Sequence, residues 1–278
     1  MIARRVIDLS VSEVLIMKLT IALAQMDIVL GDVKANLAAT ADYAAEAARQ
    51  GAEILLLPEL FSTGYDLERA QELAAPDMEH GAAAQVAAMA RDQSIWIAGS
   101  LLALDAAGRP ANTAAFWSPH GECIGVYRKI HLFRLMQEHN YLAAGEAAET
   151  VGLPWGTSAL AICYDLRFPE LFRRYALHGA EIVFVPAEWP APRIEHWRVL
   201  CRARAIENQV VIAACNRVGS DAANTFGGRS AVIGPGGEIL VEGGEGEALL
   251  TVCADLSRAM ALRHSIPILQ DRRPELYN

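Results

Sequence analysis

The sequence predicts an α/β protein with mixed sheets, and three observations favour this class. Short apolar runs that are typical of strands alternate along the chain with helical patterns. Some of these runs are separated by a helix, as parallel strands require, whereas others are joined by tight turns. The segments GAEILLLPEL (51–60) and GAEIVFVPAEW (179–189) match at an offset of 128 residues (179 − 51), which favours two related halves. The alternative is that any junction of helix, glycine and strand resembles another.

The first half of the chain is predicted to begin with a strand at 18–25, KLTIALAQ. A helix follows at 35–50, because its apolar residues recur on one face, and Gly51 ends it. The near-continuous apolar run at 52–60 is typical of a strand that is covered on both faces. The other predicted elements of this half are an Ala-rich helix at 82–92, a strand at 95–104 and a hairpin over 113–129.

The second half repeats this alternation. A strand is predicted at 159–165, and a helix follows at 169–179 with Pro169 in its first turn and a glycine past its end. The helix at 195–208 is predicted from the common face of its apolar residues. The remaining predicted strands are 180–189, 209–217, 229–235, 238–243 and 246–256, with the turn PGGE at 235–238 joining a hairpin.

The composition excludes several classes of protein. The chain has 278 residues, and 24 Lys plus Arg against 33 Asp plus Glu give a net charge of −9. This charge disfavours a nucleic-acid partner, because phosphate binding needs a basic surface. No apolar run approaches the ~18 residues that a membrane helix needs, so no membrane partner is predicted. Hydrophobic residues make up 53% of the chain, which excludes a disordered chain and is enough for a sizeable core.

The five cysteines are odd in number and widely spaced, which is not typical of a disulfide framework. We therefore predict a reducing, cytoplasmic location, in which a thiol is free to react. The apolar stretch at 14–17 is too short for the core of a signal peptide. Because Met17 directly precedes the first strand, we predict one domain over 17–278 and an N-terminal extension over 1–16.

Three residues at predicted strand ends carry complementary chemistry. Cys163 lies where α/β folds place their sites, and a nearby helix N-terminus would favour its thiolate. Glu59 follows an apolar run, and burial there would suit it to proton transfer near neutral pH. Lys129 leaves the hairpin among apolar neighbours and can place positive charge where an oxyanion develops. A thiol nucleophile needs both a base and an oxyanion stabiliser, so the three residue types fit one reaction.

Each residue also has an ordinary structural explanation. Cys163 could be a small buried apolar side chain, Glu59 an edge carboxylate paired with an arginine, and Lys129 a hairpin-edge lysine. A pairing of Cys163 with His131 or His139 also stays open. The chain has no HExxH, CxxC or EF-hand pattern, so no metal is predicted. It also lacks the glycine-rich loops of nucleotide sites and the GxSxG elbow.

Three segments in this order resemble the catalytic motifs of the nitrilase superfamily of carbon–nitrogen hydrolases: PELFSTGY (58–65), YRKIHLF (127–133) and ICYDLRFPE (162–170). The resemblance runs from about residue 18 to the C-terminus. It implies an α/β fold that is a four-layer α-β-β-α sandwich with two pseudo-twofold halves. It also implies a protomer that pairs into a homodimer or a higher homo-oligomer, and a reaction that needs no cofactor.

The resemblance also implies roles for individual residues. Glu59 matches the general base, Lys129 the lysine that stabilises the tetrahedral oxyanion, and Cys163 the nucleophile. Glu138 matches the second glutamate of the family, which helps to orient the lysine and the substrate. The backbone N–H of Tyr164 would complete the oxyanion hole. These roles describe a Cys-Glu-Lys amidase that acts on linear amides.

Four later segments narrow the resemblance to the omega-amidase group, which includes 2-oxoglutaramate amidases: AEWPAPRIEHW (187–197), RARAIENQ (202–209), CNRVGSD (215–221) and RRPELY (272–277). This group hydrolyses the terminal amide of 2-oxo dicarboxylate monoamides. The implied small-molecule substrate is therefore 2-oxoglutaramate or 2-oxosuccinamate, with ammonia as a product. Alternatives are another amidase of the superfamily, acting on deaminated glutathione or a carbamoyl amine, and a catalytically silent binding protein of the same fold.

The substrate of such an amidase ends in a carboxylate, so a chain of net charge −9 needs a local cation to bind it. Arg193 is our candidate, because it lies in the loop after the strand 180–189 and arginine pairs well with carboxylates. Arg167 and Arg134 are alternatives. Further candidates for the lining of the pocket are Glu188, Tyr65, Phe133 and Trp189.

Overall fold

The computed structural model describes residues 17–277. The N-terminal extension that the sequence predicts at 1–16 lies outside the described residues. The strands, in chain order, are β1 (Lys18–Gln25), β2 (Ile54–Leu56), β3 (Trp96–Leu104), β4 (Pro110–Trp117), β5 (Cys123–Arg128), β6 (Val151–Leu153), β7 (Gly156–Leu160), β8 (Ile182–Ala187), β9 (Val211–Asn216), β10 (Ala231–Ile233), β11 (Ile239–Glu242) and β12 (Ala248–Asp255). The α-helices are α1 (Val33–Arg49), α2 (Ala70–Leu73), α3 (Ala82–Gln93), α4 (Glu138–Tyr141), α5 (Pro169–Leu177), α6 (Ile194–Asn208) and α7 (Ser257–Ser265).

The strands form two six-stranded mixed sheets, in the orders β12-β1-β2-β3-β4-β5 and β11-β10-β9-β8-β7-β6. Residues of both sheets meet in one core, in which the rings of Phe116 and Phe184 lie 5.3 Å apart. Helices α1 and α3 cover the other face of the first sheet, whereas α5 and α6 pack on the second. The predicted α-β-β-α sandwich is therefore confirmed. Full burial of a phenylalanine side chain, as at Phe116 and Phe184, contributes about 1.5–3 kcal/mol to the stability of the fold.

The two sheets have the same topology, and the last strand of the chain crosses from the second half to the first sheet. Strands β2 and β8 begin at Ile54 and Ile182, which reproduces the offset of 128 residues (182 − 54), and both lie centrally in three parallel strands. Strand β6 forms a tight hairpin with the next strand, β7, so the second sheet consists of six consecutive strands, β6 to β11. Strand β12 follows β11 but pairs with β1 of the first sheet over eight residues. The first sheet is therefore completed by a strand from the second half of the chain.

Several elements differ from the sequence prediction. The run 52–60 pairs only as Ile54–Leu56, because Pro58 has no N–H for the ladder and Leu60 is left-handed at φ 44°. The predicted strand 159–165 ends at Leu160, and the chain then enters a short 3-10 helix, Cys163–Arg167. Helix α7 was not predicted, since its apolar residues have little helical periodicity. In these cases tertiary packing overrides a local pattern.

Helices α1 and α5 begin as their sequences indicate. The side chain of Asp32 accepts a hydrogen bond from the N–H of Ala35, which caps α1 and moves its start to Val33 from the predicted 35. Pro169 occupies the first turn of α5, where a missing N–H costs nothing. Between residues 17 and 277, no helix is long and apolar enough to span a membrane.

The sheet directions bring the predicted site residues to one edge. Strands β2 and β5 run in the same direction, because β5 is antiparallel to β4 and β4 is antiparallel to β3. Glu59 and Lys129 therefore follow strands that end at the same edge of the first sheet. In the second sheet, Cys163 follows β7 and Glu188 follows the parallel strand β8. Carboxyl ends of parallel strands are where α/β folds place their sites.

Candidate active site

Glu59 lies in the turn after β2 and is fully buried. Its Oε1 accepts hydrogen bonds from the Lys129 Nζ at 2.7 Å and from the amide of Asn112 at 2.8 Å, and lies 2.8 Å from the Tyr65 hydroxyl. Its Oε2 accepts the peptide N–H of Glu188 at 2.9 Å. The two oxygens of this carboxylate are thus held differently, with three side chains on one and a single peptide on the other.

Lys129 follows β5 directly and is fully buried between two carboxylates. Its Nζ lies 2.7 Å from Glu59 Oε1 and 2.6 Å from Glu138 Oε1. Burial alone would lower the pKa of Lys129, but the carboxylates of Glu138 and Glu59 outweigh it and raise the pKa. Lys129 is therefore a fixed cation. Its ammonium has three protons, and beyond the two carboxylate bonds the remaining acceptor is the Tyr65 hydroxyl, at a longer 3.4 Å.

Glu138 is the first residue of α4 and is fully buried. Its Oε1 accepts a hydrogen bond from the Lys129 Nζ, and its Oε2 accepts one from the peptide N–H of Phe133 at 2.6 Å. Burial raises the pKa of Glu138, and the lysine opposes that rise. The hydroxyl of Tyr65 lies 2.7 Å from Glu138 and 2.8 Å from Glu59, and a hydroxyl donates its single proton to one carboxylate at a time.

Cys163 is buried and begins the short 3-10 helix with a left-handed φ of 45°. Burial raises the pKa of its thiol, the negative charge of Glu59 raises it further, and Lys129 opposes them. The expectation that a helix N-terminus favours the thiolate is therefore not met, because α5 begins only at Pro169 and burial dominates. Tyr164 lies in the first turn of the 3-10 helix, where peptide N–H groups have no intrahelical acceptor.

A network that the sequence did not predict holds this turn. Asp165 is fully buried, and its Oδ2 accepts the N–H of Ile162 at 2.9 Å and the hydroxyl of Tyr127 at 2.7 Å. Its Oδ1 accepts the N–H of His131 at 3.1 Å and lies 2.7 Å from the Nδ1 of that histidine. His131 therefore pairs with Asp165, not with Cys163. In the sequence, the feature that could have indicated this network is the aspartate two residues after the cysteine in ICYD.

The backbone is strained at three places in the site. Leu60 after Glu59, Gln137 before Glu138, and Cys163 itself have left-handed φ angles of 44°, 59° and 45°. Side chains other than glycine rarely adopt this conformation, and such strain concentrates at functional sites. At each of these points the chain leaves regular structure to aim one side chain into the site.

A cavity of about 10 Å³, enough for about one water molecule, adjoins Cys163. It is lined by Phe133, Cys163, Tyr164, Arg167, Trp189, Pro190 and Arg193. The guanidinium of Arg167 lies 4.7 Å from the ring of Trp189, whose indole N–H donates to the carbonyl of Arg193. Arg134 is exposed and is not among the lining residues. Arg167 and Arg193 thus both line the cavity beside Cys163.

Tyr65 and Glu188, which the sequence suggested as pocket-lining residues, have other neighbours. Tyr65 connects the two buried carboxylates and borders a separate groove on the side of α4. Glu188 is fully buried in an ion pair with Arg217, whose Nη1 lies 2.7 Å from Glu188 Oε2. In the part of the chain described here, no group of three or more His, Cys, Asp or Glu side chains is placed to hold a metal ion.

Comparisons with known proteins show the family of the chain. Residues 20–264 match the model of a family described as carbon–nitrogen hydrolase. The chain is 41% identical to the 2-oxoglutaramate amidase of Bacillus subtilis (strain 168), over 94% of this chain and 100% of that protein. It is 32% identical to the omega-amidase NIT2 of Homo sapiens, over 92% and 96% of the two chains.

Solved structures with the same fold include Nit3 of Saccharomyces cerevisiae, described as a member of branch 10 of the nitrilase superfamily. The TM-score is 0.86 at 28% identity, covering 94% of this chain and 99% of that chain. An amidase from Nesterenkonia sp. gives a TM-score of 0.84 at 32% identity, covering 93% of this chain and 95% of that chain.

Proposed function

The chain belongs to the carbon–nitrogen hydrolase family, and from that premise we propose that it hydrolyses the terminal amide of a small 2-oxo dicarboxylate monoamide. The substrate is 2-oxoglutaramate or 2-oxosuccinamate, and the products are the dicarboxylate and ammonia. Similarity to 2-oxoglutaramate amidase along the full length of that relative supports this substrate class. The observation that carries the proposal is the buried cluster of Glu59, Lys129 and Glu138 beside the Cys163 thiol.

The proposed reaction begins from a protonated thiol, in keeping with the raised pKa of Cys163. Glu59 takes the proton through its less occupied Oε2, and the sulfur attacks the amide carbon. The Lys129 N–H that makes the long 3.4 Å contact with the Tyr65 hydroxyl turns to the oxyanion and stabilises it together with the Tyr164 N–H. Glu59 returns the proton to the leaving nitrogen, so ammonia departs and a thioester stays on Cys163.

Water then hydrolyses the thioester. Glu59 takes a proton from the water as its oxygen attacks the thioester carbon, and the same proton passes to the departing sulfur. The acid leaves and the thiol is restored, so protons and electrons balance without a cofactor. Glu138 orients Lys129 through the 2.6 Å contact between Nζ and Oε1. All of these roles are part of the proposal.

Arg193 is proposed to bind the carboxylate at the far end of the substrate, with Arg167 as the alternative. Both arginines line the cavity beside Cys163. Phe133 and Trp189 line the same cavity and are proposed to contact the substrate chain. Because the cavity has room for about one water molecule, some of these side chains must move when substrate enters.

The test of the proposed function is a panel of amides with ammonia as the readout: 2-oxoglutaramate, succinamate, glutamine, deaminated glutathione and a nitrile. We expect the highest kcat/KM with 2-oxoglutaramate. A preference for deaminated glutathione would assign the chain to another amidase of the superfamily. No ammonia from any compound would support a catalytically silent binding protein.

Replacing Cys163 by Ala should abolish ammonia release while the fold survives, because the side chain becomes smaller without losing a hydrogen-bond partner of the core. Circular dichroism checks the fold, and iodoacetamide labelling that substrate blocks identifies the reactive thiol in the unaltered protein. Substantial activity in Cys163→Ala would contradict the proposed mechanism.

We also propose a homodimer, or a higher homo-oligomer, that works in the cytoplasm. Val199, Ile206 and Ile239 are exposed beside a cleft of about 370 Å³ on the outer face of α6, and apolar surface of this kind marks interfaces. Light scattering should return at least twice the chain mass of 30.1 kDa. The five cysteines are all free, which supports a reducing compartment.

A further inference from the structure

The peptide between Ala187 and Glu188 sets the orientation of Glu59. Within residues 17–277, Oε1 of Glu59 has three side-chain partners, whereas Oε2 has a single hydrogen bond, from the N–H of this peptide at 2.9 Å. Oε2 therefore keeps lone-pair capacity for a proton from the Cys163 thiol. A shift of this peptide would turn the carboxylate about the oxygen that Lys129 holds.

Arg217 holds the same peptide in two ways, through its backbone and through its side chain. Its backbone N–H donates to the carbonyl of Ala187 at 3.0 Å, and its Nη1 donates to Oε2 of Glu188 at 2.7 Å. The side chains of Glu188 and Arg217 are both fully buried. The peptide is thus fixed through its carbonyl oxygen and through the side chain that follows it.

Arg217 is in turn anchored to the end of β1, in the other half of the molecule. Its Nη2 donates to the carbonyl of Ile28 at 2.6 Å and lies 3.3 Å from Oδ1 of Asp27. Its guanidinium lies 4.3 Å from the ring of Phe226. Only a guanidinium, with donors in a rigid fork, can bind these separate groups at once.

Glu188 is costly to bury, so a purely structural role explains it poorly. Its Oε1 is buried with no hydrogen-bond partner in the described part of the chain. Burial raises the pKa of Glu188, although the neighbouring Arg217 opposes the rise. An apolar side chain would fill the same space without this cost, and buried polar groups left incompletely paired often have a functional role.

We propose that Glu188 and Arg217 are positioning residues: their ion pair fixes the Ala187–Glu188 peptide, which aims Oε2 of Glu59 at the thiol of Cys163. The proposal rests on the proposed function in one respect, since it takes Glu59 as the base. It assigns Glu188 to the orientation of the base and not to contact with substrate. The two residues act through Glu59 and touch no reacting atom.

The test compares Glu188→Gln and Arg217→Lys with the unaltered protein. Glu188→Gln keeps the shape of the side chain, and Arg217 retains Asp27 at 3.3 Å and Asp221 at 3.9 Å as counter-charges, so the fold should survive. Glu238→Gln is the matched control, because it breaks the 2.8 Å ion pair between Arg258 and Glu238, which lies in the turn between β10 and β11 away from Glu59. Circular dichroism and thermal melts verify the fold of each variant.

Two readouts are needed. The first is kcat and KM for 2-oxoglutaramate, and the second is the rate constant for iodoacetamide alkylation of Cys163 as a function of pH. We expect Glu188→Gln and Arg217→Lys to lower kcat by about tenfold or more, as loss of an aligned base does, with KM changed by less than about twofold. Alkylation near neutral pH should slow in parallel, and Glu188→Asp should recover part of both. Glu238→Gln should match the unaltered protein.

Unchanged kcat and unchanged alkylation in Glu188→Gln would overturn the proposal. An effect on KM alone would also overturn it and would make Glu188 a substrate-binding residue. If Arg217→Lys does not fold, the kcat and alkylation rates of Glu188→Gln and Glu188→Asp are sufficient to test the proposal. Alkylation needs no substrate, so the positioning role is tested even if no amide releases ammonia and the proposed function fails.

Discussion

At the scale of single residues, the surroundings of Cys163 oppose ionisation of its thiol. Burial raises the pKa of the thiol and Glu59 raises it further, and the nearby Lys129 only partly compensates. A reactive cysteine more often has a lowered pKa. In the proposed mechanism, a thiol that is protonated at rest depends on Glu59 as its base at the moment of attack.

Lys129 has an electrostatic role that can be tested separately from catalysis. Lys129→Met should abolish activity and cost about 3–5 kcal/mol of stability, because Glu59 and Glu138 would be left buried without a counter-charge. Since burial favours the protonated carboxylates, this loss of stability should shrink as the pH falls. Urea unfolding at several pH values measures it.

The control for this prediction is the double variant Lys129→Met with Glu138→Gln. Removing one of the two orphaned charges should restore part of the stability but none of the activity. Equal stability of the single and double variants at all pH values would show that the two carboxylates do not depend on the lysine.

The substrate carboxylate provides a second test at the residue scale. Arg193→Ala should raise KM for 2-oxoglutaramate by about 10–100-fold, the range for a lost hydrogen bond between charged groups, with a smaller change in kcat. For an amide without a carboxylate, such as butyramide, Arg193→Ala should change KM little. If Arg193→Ala leaves KM unchanged, the same measurement on Arg167→Ala and Arg134→Ala tests whether one of these arginines binds the substrate carboxylate instead.

At the scale of elements, the site lies where regular structure stops. Strand β2 ends three residues before Glu59, and β7 ends three residues before Cys163. Helix α4, which begins at Glu138, is only four residues long. Short elements followed by strained residues leave the side chains buried and aimed inward, whereas continued strands would alternate them between the two faces of the sheet.

Gly145 controls the position of the Lys129 backbone. Its N–H donates to the carbonyl of Lys129 at 2.8 Å, and a Cβ at this position would collide with the carbonyl oxygen of Arg128. Gly145→Ala should therefore displace the end of β5, costing about 1–3 kcal/mol of stability and reducing kcat. Gly152→Ala in β6 is the control, since a Cβ there meets no atom within 4 Å. Equal effects of the two substitutions would contradict this explanation.

At the scale of the whole molecule, β12 joins the two halves. It follows β11 of the second sheet along the chain but pairs with β1 over eight residues and covers that edge of the first sheet. Without β12, β1 would be an open sheet edge, which is a site of aggregation. The Arg217 contacts to Asp27 and Ile28 add a polar link between the halves at the site.

The molecule should consequently unfold as one cooperative unit. We expect amide protection in β1 of the first sheet and β9 of the second to be lost at the same denaturant concentration. Hydrogen exchange measured across a urea series tests this. Earlier loss of protection in one sheet would mean that the two sheets unfold independently in spite of the crossing strand β12.

By itself, the sequence determined the order of most helices and strands, because apolar periodicity and turn residues act over short distances. It also indicated Glu59, Lys129 and Cys163, since each has unusual chemistry for a strand end, and three motifs in order pointed to the family that the comparisons show. Tertiary structure alone decided the pairing of β12 with β1, the Asp165 network around the Cys163 turn, and the burial of Glu188 against Arg217. These features join residues that are far apart in the chain, and no local pattern records which distant partner a buried charge will meet.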